Sequence, residues 1–312
     1  MHAVTIVDGR IEWREHGDPR PGTGELLVAV RAAGISRADI MQRDGRYPPP
    51  PGTPADVPGL DMAGEVVGVG PAVTRFGVGD RVMAVVPGGG QAELCLVHER
   101  GAMPIPEAMS WIQAGAFPET YTTAHDALFT QAGLGVGERL CVHGAAGGVG
   151  TAAIELAAGA GCSVVATVRN EALRPGVAAL GATVVAPDDF VEHGPCDVIL
   201  ELVGAPNLAR NLDALAVGGR LVIIGVAAGF VAELNLMTVM TKRLRIMGST
   251  LRARPLELKA DAARRVERHA LPLAETGRIT VPIAATYPME EARAAYERFE
   301  GGGKLGRIVL VR

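Results

Sequence analysis

The sequence has few of the residues that build metal sites or disulfide frameworks. It contains four cysteines among 312 residues, and no two of them form a Cys-x-x-Cys pair. Their spacing suits neither a structural zinc site nor a disulfide framework. Scattered cysteines usually fill protein cores in a reducing compartment, so we expect a cytoplasmic protein. The four are Cys95, Cys141, Cys162 and Cys196.

Long apolar runs and basic tracts are also missing. No apolar run reaches the roughly 18–20 residues that a membrane-spanning helix needs. The first residues lack the basic and apolar regions of a signal peptide. The net charge of −4 argues against a nucleic-acid surface, and the arginines at 264, 265 and 268 are interpreted as a solvated helix face. We therefore expect neither a nucleic acid nor a membrane as a partner.

The remaining composition and pattern indicate two domains of an α/β protein. The length exceeds that of one simple core. Residues 1–118 contain short strands separated by glycine and proline, which predicts a compact barrel. Between residues 119 and 254 strands alternate with helices, which predicts a doubly wound parallel sheet of Rossmann type. After residue 255 the alternation stops, and we expect the final strand, at 306–311, to complete the sheet of the N-terminal domain. The first domain would then comprise 1–118 and 255–312.

A glycine-rich turn lies between a predicted strand and a predicted helix. Glycines in such a turn allow a tight reversal, close approach of a pyrophosphate and close packing of helix on sheet. The N-terminus of the following helix offers free N–H groups and a positive dipole end to phosphates. The turn therefore predicts a dinucleotide site, with contacts from Gly144, Ala146, Gly147, Gly148, Val149 and Gly150.

The end of the next strand indicates which dinucleotide binds. A site for NAD usually has Asp or Glu there to bind the ribose hydroxyls. This chain has Arg169 and Asn170, with no carboxylate before Glu171. A guanidinium pairs strongly with a 2′-phosphate, so Arg169, assisted by Arg174, favours NADPH. The alternative is that Arg169 only faces water.

Several strings of the sequence are more specific than the glycine turn. They are SRADIMQRDGRYPPPPG at residues 36–52, GLD at 59–61, GGGQAE at 88–93 and PET at 118–120. Together with the glycine turn, and in this order along nearly the whole chain, they resemble the quinone oxidoreductase branch of the medium-chain dehydrogenase/reductase superfamily. Within that branch, the chain looks most similar to the zeta-crystallin-like enzymes and, among them, to those of the tumour-suppressor-inducible type.

The resemblance implies a GroES-like catalytic domain, a Rossmann domain and an active site in the cleft. It also implies NADPH, quinone reduction and a homodimer or homotetramer. Ser36 takes the place of the Cys that binds catalytic zinc in the related alcohol dehydrogenases, and Leu60 takes the place of their zinc-binding His. Because Ser and Leu cannot complete a zinc site, we expect no metal. A quinone needs less help from a Lewis acid, since its own π-system spreads the incoming charge.

The resemblance also predicts individual site residues. Tyr47 would stack on a planar acceptor or donate a hydrogen bond to the developing phenolate, or it could merely cover the core. Ser36 and Asp39 would be polar groups beside the nicotinamide, although Asp39 could only anchor a helix start. Lys304 and Arg307 would lie near cofactor phosphates, or be solvated. The other predicted cofactor contacts are Thr123, Val203, Gly204, Gly225, Val226, Ser249 and Leu251.

Three functions fit these features. The first is an NADPH-dependent quinone oxidoreductase. The second is an NADPH-dependent reductase of an enone, a 2-alkenal or an enoyl thioester, which also moves a hydride to a conjugated acceptor. The third is a non-catalytic NADPH-binding protein with a structural or sensing role.

Overall fold

The computed structural model describes residues 1–312, which form two compact units. The first unit consists of Met1–Thr122, Leu251–Gly302 and Arg307–Arg312. The second consists of Thr123–Thr250 and Gly303–Gly306. The sequence predicted boundaries after residues 118 and 254, and it assigned residues 303–306 to the first domain, whereas here these four residues cluster with the second unit.

Fifteen strands and nine α-helices make up the two units. The strands are β1 His2–Val7, β2 Arg10–Glu15, β3 Glu25–Ile35, β4 Asp61–Val69, β5 Arg81–Val85, β6 Leu94–His98, β7 Ala102–Pro104, β8 Arg139–Val142, β9 Ser163–Thr167, β10 Thr183–Val185, β11 Cys196–Glu201, β12 Leu215–Ile223, β13 Arg245–Gly248, β14 Ile283–Pro288 and β15 Arg307–Val311. The helices are α1 Arg37–Arg43, α2 Trp111–His125, α3 Gly148–Gly159, α4 Arg174–Ala178, α5 Leu208–Ala214, α6 Leu236–Lys242, α7 Leu256–His269, α8 Leu271–Glu275 and α9 Ala292–Glu300. Helix α2 continues into one π-helical segment, Asp126–Gln131.

The last strand of the chain belongs to the sheet of the first unit. Its strand order is β14-β15-β3-β4-β5-β7, with β6 also paired to β3, and a separate hairpin joins β1 and β2. Strand β15 runs antiparallel to β3 and parallel to β14. Its apolar residues Ile308, Val309 and Leu310 are fully buried, which fixes the strand in this sheet. The last strand therefore lies in the sheet of the first unit, where the sequence analysis expected it.

The second unit contains the predicted doubly wound parallel sheet. Its six strands lie in the order β10-β9-β8-β11-β12-β13, and every neighbouring pair is parallel. The order reverses between β8 and β11, and ligands of such sheets bind beyond the carboxyl ends of the strands at this point. Apolar runs buried on both faces, such as Val198–Leu200, explain why these strands occupy the sheet centre.

Neither unit contains a helix with the length and apolarity required to cross a bilayer. All four cysteines are free thiols. Cys95, Cys141 and Cys196 are buried, and Cys162 is partly exposed. Burial raises the pKa of Cys95 to about 12, so this thiol stays protonated.

Candidate functional site

The glycine turn of the second unit follows β8 and leads into α3. Gly144 has φ +64°, which L-residues rarely adopt. A Cβ at Gly150 would lie 2.6 Å from the Cα atom of Ala145, so only glycine lets the helix start pack against the turn. No side chain caps α3, whose first residue follows Gly147. The first-turn N–H groups have no acceptor within the helix and can therefore bind an anion.

Residues 303–306 lie against this glycine turn. The amide of Gly306 donates to the carbonyl oxygen of Ala146 at 2.8 Å, and Gly306 forms a β-bridge with Gly147. The ammonium of Lys304 donates to the carbonyl oxygen of Gly306 at 3.0 Å. This backbone pairing brings Lys304, a predicted cofactor contact, to the same part of the second unit as the turn.

Two arginines follow strand β9, and they differ in what they contact. Arg174 donates to the carbonyl oxygen of Val168 at 3.2 Å and forms an ion pair with Glu171 at 3.5 Å. Arg169 is exposed and makes no ion pair or hydrogen bond. The side chain of Asn170 accepts a hydrogen bond from the amide of Ala172 at 3.1 Å. Of the predicted 2′-phosphate contacts, Arg169 is therefore the unpaired cation.

The loop after β11 is organised by a buried carboxylate that the sequence did not single out. Glu201 is only 2% exposed. It accepts hydrogen bonds from the amides of Val203 at 2.6 Å and Gly204 at 2.9 Å. The side-chain amides of Asn211 at 2.7 Å and Asn207 at 3.1 Å complete the set. The amides of Val203 and Gly204, two predicted cofactor contacts, are therefore engaged by this carboxylate.

The glycines at 204 and 225 let two loops pack on each other. A Cβ at Gly204 would lie 2.5 Å from the carbonyl oxygen of Gly229, and one at Gly225 would lie 2.5 Å from that of Leu202. Loop packing is thus a sufficient reason for both glycines, whereas the sequence pattern alone suggested approach of a ribose. The neighbouring side chain of Val226 is 40% exposed.

A histidine beside the glycine turn is held in place by the sheet. His143 contacts Thr167 Oγ1 through Nδ1 at 3.0 Å and Asn211 Oδ1 through Nε2 at 2.8 Å. Its ring packs edge-on against Phe190. Burial lowers the pKa of His143, and the residue is a fixed part of the core.

The remaining predicted cofactor contacts are divided between the units. Thr123 and Ser249 belong to the second unit, and Leu251 belongs to the first. The hydroxyl of Ser249 donates to Asp126 Oδ2 at 2.9 Å, in the π-helical segment that follows the helix of Thr123.

In the first unit, Asp39 is saturated with hydrogen bonds. Its Oδ2 accepts from the amide of Ser36 at 2.7 Å and from the Ser36 hydroxyl at 3.0 Å. Its Oδ1 accepts from the amide of Gly59 at 2.9 Å. Asp39 is fully buried, and this burial raises its pKa. The structure brings the two predicted polar residues together as the cap of α1, and it ties this cap to the segment that contains Leu60.

Two buried carboxylates and one partly buried carboxylate surround one guanidinium in the same unit. Arg307 contacts Asp61 at 2.7 Å and Glu119 at 3.4 Å, and Asp39 also acts on it through space. Gly34 makes room for this pair, because a Cβ there would collide with the guanidinium of Arg307. Burial raises the pKa of Asp61 to about 6 and that of Glu119 to about 7. The suggestion that Arg307 contacts cofactor phosphates is wrong, because its guanidinium belongs to this cluster.

Tyr47 is held by an arginine that the sequence pattern did not reveal. The guanidinium of Arg252 stacks over the Tyr47 ring, 4.9 Å from its centroid, and donates to the Tyr47 carbonyl oxygen at 2.8 Å. Arg252 also donates to the carbonyl oxygen of Pro87 at 2.7 Å and to the side-chain oxygen of Gln42. The Tyr47 side chain is partly buried, and this burial raises its pKa. The phenol therefore keeps its proton at neutral pH.

The donor set of the first unit does not fit a zinc ion. The resemblance assigns Ser36 and Leu60 to two positions where zinc enzymes have ligands, and neither side chain binds zinc. No group of three or more His, Cys, Asp or Glu side chains in the chain could hold a metal ion.

Comparisons with known proteins find relatives with the same two kinds of domain. Family models described as "Alcohol dehydrogenase GroES-like domain" and "Zinc-binding dehydrogenase" match residues 22–131 and 148–268. The chain is 31% identical to a quinone oxidoreductase of Rattus norvegicus, over 94% of this chain and 91% of that protein. It is 32% identical to a mycocerosic acid synthase-like polyketide synthase of Mycobacterium tuberculosis, over 93% of this chain and 14% of the synthase. A crystal structure of an NAD-dependent alcohol dehydrogenase superposes with a TM-score of 0.87 and 26% identity over the whole of both chains.

Proposed function

The chain belongs to the zeta-crystallin-like quinone oxidoreductase branch of the medium-chain dehydrogenase/reductase superfamily, and from this premise we propose that it is an NADPH-dependent quinone oxidoreductase that works without zinc. The coarser statement, that it is an NAD(P)-dependent oxidoreductase, follows from the family itself. The preference for NADPH and the choice of a quinone are the parts that need support from its own residues.

The unpaired Arg169 carries the proposal for NADPH. A carboxylate at this strand end would bind the two ribose hydroxyls of NAD and repel a 2′-phosphate. Arg169 instead offers an exposed guanidinium without a partner, just after strand β9, which pairs with the strand that precedes the glycine turn. The residues that would hold the pyrophosphate are the first-turn amides of α3, with the Lys304 ammonium nearby. These groups fit an anionic dinucleotide, and the bound nicotinamide would supply the hydride.

Tyr47 of the first unit is proposed to act on the acceptor, with Ser36 and Asp39 as supporting polar groups. Tyr47 keeps its phenolic proton at neutral pH, because burial raises its pKa. It can therefore donate a hydrogen bond to an acceptor oxygen on which negative charge develops. The Ser36 hydroxyl donates its hydrogen bond to Asp39. Toward any other group it can therefore only accept a hydrogen bond. We assign Asp39 a positioning role, because its carboxylate is saturated.

The donor set favours a conjugated acceptor. The residues present do not fit zinc, so polarisation of an isolated carbonyl by a Lewis acid is not part of the proposal. A quinone spreads the incoming charge over its ring, and the protein then contributes mainly alignment and a hydrogen-bond donor.

Reduction of an enone, a 2-alkenal or an enoyl thioester is the second candidate. This reaction also moves a hydride to a conjugated acceptor. The similarity to a polyketide synthase supports it as a candidate function. A non-catalytic NADPH-binding protein with a structural or sensing role is the third.

One screen separates the three candidates. The full-length protein is mixed with NADPH, and the loss of NADPH absorbance is followed with a panel of naphthoquinones, enones and enoyl thioesters. We expect turnover with the naphthoquinones. Turnover restricted to enones or enoyl thioesters would support the second candidate. Tight NADPH binding, measured by calorimetry, without turnover on any acceptor would support the third.

The assembly and the location stay predictions. A homodimer or homotetramer is supported by an apolar surface in the second unit, where large side chains on and before α6 are exposed. They are Phe230, Val231, Leu236, Met237 and Met240. Exposed apolar surfaces of this kind often mark protein interfaces. The cytoplasmic location is supported by four thiols that form no disulfide.

A further inference from the structure

The π-helical segment that follows α2 holds a carboxylate in the second unit. The segment is Asp126–Gln131. In an α-helix about 3.6 residues make a turn, so side chains five positions apart lie on different faces. The wider π-helical turn brings such side chains together, and the Gln131 side-chain amide donates to Asp126 Oδ2 at 3.3 Å. Turns of this kind are rare and occur mostly at functional sites, so the carboxylate they support is a candidate for a specific role.

This carboxylate reaches the end of the outermost strand of the parallel sheet. Asp126 is only 4% exposed, and its Oδ2 accepts a hydrogen bond from the hydroxyl of Ser249 at 2.9 Å. Ser249 is the first residue after β13, and it is only partly buried. A carboxylate can only accept hydrogen bonds, so the hydrogen of the hydroxyl is committed to Asp126. Toward a further group, Ser249 Oγ therefore presents lone pairs.

The strand order puts Ser249 on the path of the second half of a dinucleotide. All six strands are parallel, so their carboxyl ends form one edge, at which ligands bind. In the proposed binding mode the 2′-phosphate lies beside Arg169, after β9, and the pyrophosphate lies at the turn after β8. The nicotinamide half then extends the other way, across the ends of β11, β12 and β13. Neighbouring strands lie about 4.8 Å apart, so an extended nicotinamide riboside reaches the ends of β12 and β13.

We propose that Asp126 is a positioning residue of the cofactor site, which orients the Ser249 hydroxyl so that Oγ accepts a hydrogen bond from the carboxamide N–H of the nicotinamide. Holding the carboxamide fixes the plane of the ring, and alignment of that ring is the main contribution expected from the protein. This inference rests on the proposed binding of NADPH. It adds a residue that acts on the cofactor only through Ser249.

The test compares two dinucleotides that differ only in the carboxamide. The 3-acetylpyridine analogue of NADP⁺ has an acetyl group in its place and therefore lacks the N–H donors. Calorimetry with the full-length protein measures Kd for both dinucleotides. We expect Ser249→Ala and Asp126→Ala each to weaken NADP⁺ about fivefold to tenfold, and the analogue less than about twofold. Because Asp126 acts through Ser249, the double variant should lose no more than either single variant.

Two further variants separate positioning from a general effect on the fold. Asp126→Asn keeps one acceptor oxygen for the Ser249 hydroxyl, so it should retain most of the preference for NADP⁺ over the analogue. Asp213→Ala removes an exposed carboxylate of the same unit from the end of α5 that precedes β12, at the opposite edge of the sheet. It should leave the binding of both dinucleotides unchanged. Ser249 is only partly buried, so Ser249→Ala should fold and keeps the test available if Asp126→Ala does not.

The outcomes distinguish this inference from the proposed function. Equal losses for both dinucleotides in Ser249→Ala would overturn the carboxamide contact. Additive losses in the double variant would show that Asp126 does not act through Ser249 and would overturn its positioning role. If the wild-type protein prefers NAD⁺, the proposed preference for NADPH fails, and NAD⁺ with its own acetylpyridine analogue gives the same test. If it binds no nicotinamide dinucleotide, both proposals fail.

Discussion

The two units bury polar groups in opposite ways. In the first unit, three carboxylates share one guanidinium, that of Arg307. In the second, the single carboxylate of Glu201 is surrounded by four N–H donors. The first cluster has more negative than positive charge, and it holds protons in the neutral range because burial disfavours a second and third anion. The second is satisfied by hydrogen bonds and serves as a fixed support.

Because of this difference, loss of a carboxylate should affect the stability of the two units differently, and the effect should depend on pH in only one of them. Loss of the carboxylate in the second unit would leave backbone amides without acceptors, so it should act on stability at every pH. Loss of a carboxylate in the first unit would remove a group that is costly to ionise, so its effect should depend on pH.

The largest effect is expected for Glu201→Leu. The change leaves four N–H donors in the second unit without their acceptor. Each donor that water cannot reach costs about 1–3 kcal/mol of stability. We expect the free energy of unfolding to fall by about 3 kcal/mol or more, as measured by urea denaturation. Glu201→Gln, which keeps one acceptor oxygen, should lose less. An unchanged denaturation midpoint for Glu201→Leu would remove the contrast between the two clusters.

The next effect concerns the cofactor and should be confined to the second unit. Arg169→Ala should weaken NADPH binding about tenfold to a hundredfold, the range expected for one charge-assisted contact. Binding of NADH should change little, because it has no 2′-phosphate. Calorimetry with both cofactors measures the ratio, and Arg174→Ala is the matched control, since Arg174 is already paired. Equal losses for both cofactors would contradict the assignment.

The pH dependence of stability tests the cluster of the first unit. The folded pKa of Glu119, about 7, lies above the ordinary 4.5, so its protonated form contributes stability that is present below about pH 4.5. That contribution is lost as the pH rises through 7. Glu119→Gln stays neutral, so it should gain about 1–2 kcal/mol relative to wild type between about pH 5 and pH 8.

For Glu300→Gln we expect a change of stability with pH that is opposite in sign to that of Glu119→Gln. Arg43 lowers the pKa of Glu300 by a hydrogen bond, so this carboxylate contributes stability above its ordinary pKa and loses it in acid. The variant should therefore lose stability relative to wild type as the pH rises from about 3 to 6. Parallel pH profiles of the two variants would show that neither Glu119 nor Glu300 controls the pH dependence of stability.

The smallest effect is expected for Tyr47→Phe. Loss of one neutral hydrogen bond to the acceptor should lower kcat about twofold to tenfold, with KM for NADPH unchanged. Steady-state kinetics with menadione measure it. Because the ring and its stacking with Arg252 remain, unfolding should be unaffected. Unchanged kcat would leave Tyr47 only a role in shape.

The sequence predicted local features and pairings that follow from apolar patterns. The glycine turn is recognisable because glycine, strand and helix follow one another within a few residues. The C-terminal strand could be assigned to the first sheet because its apolar run had no partner nearby. The family and its zeta-crystallin-like branch, first seen as a resemblance of short strings, are confirmed. The likeness to the tumour-suppressor-inducible enzymes within that branch stays a prediction.

The buried polar clusters could not be predicted in the same way. Asp61, Glu119 and Arg307 are far apart in the sequence. The pairing of β15 with β3 and of β3 with β4 brings Arg307 to Asp61, and Glu119 contacts Arg307 from helix α2. The one local signal was an arginine at the start of an apolar strand, which was interpreted as a phosphate contact. Glu201 carried a similar signal, a carboxylate at the end of the apolar strand β11. Arg252 had none, since its acceptors are backbone carbonyls and an amide.

The positions of the cysteines make the two units separately observable. Cys95 is buried in the first unit, while Cys141 and Cys196 are buried in the second. A thiol reagent can modify these side chains only after their own unit opens. Mass spectrometry of briefly labelled protein would therefore time the opening of each half of the molecule within one sample, with the partly exposed Cys162 as an internal reference for the reagent.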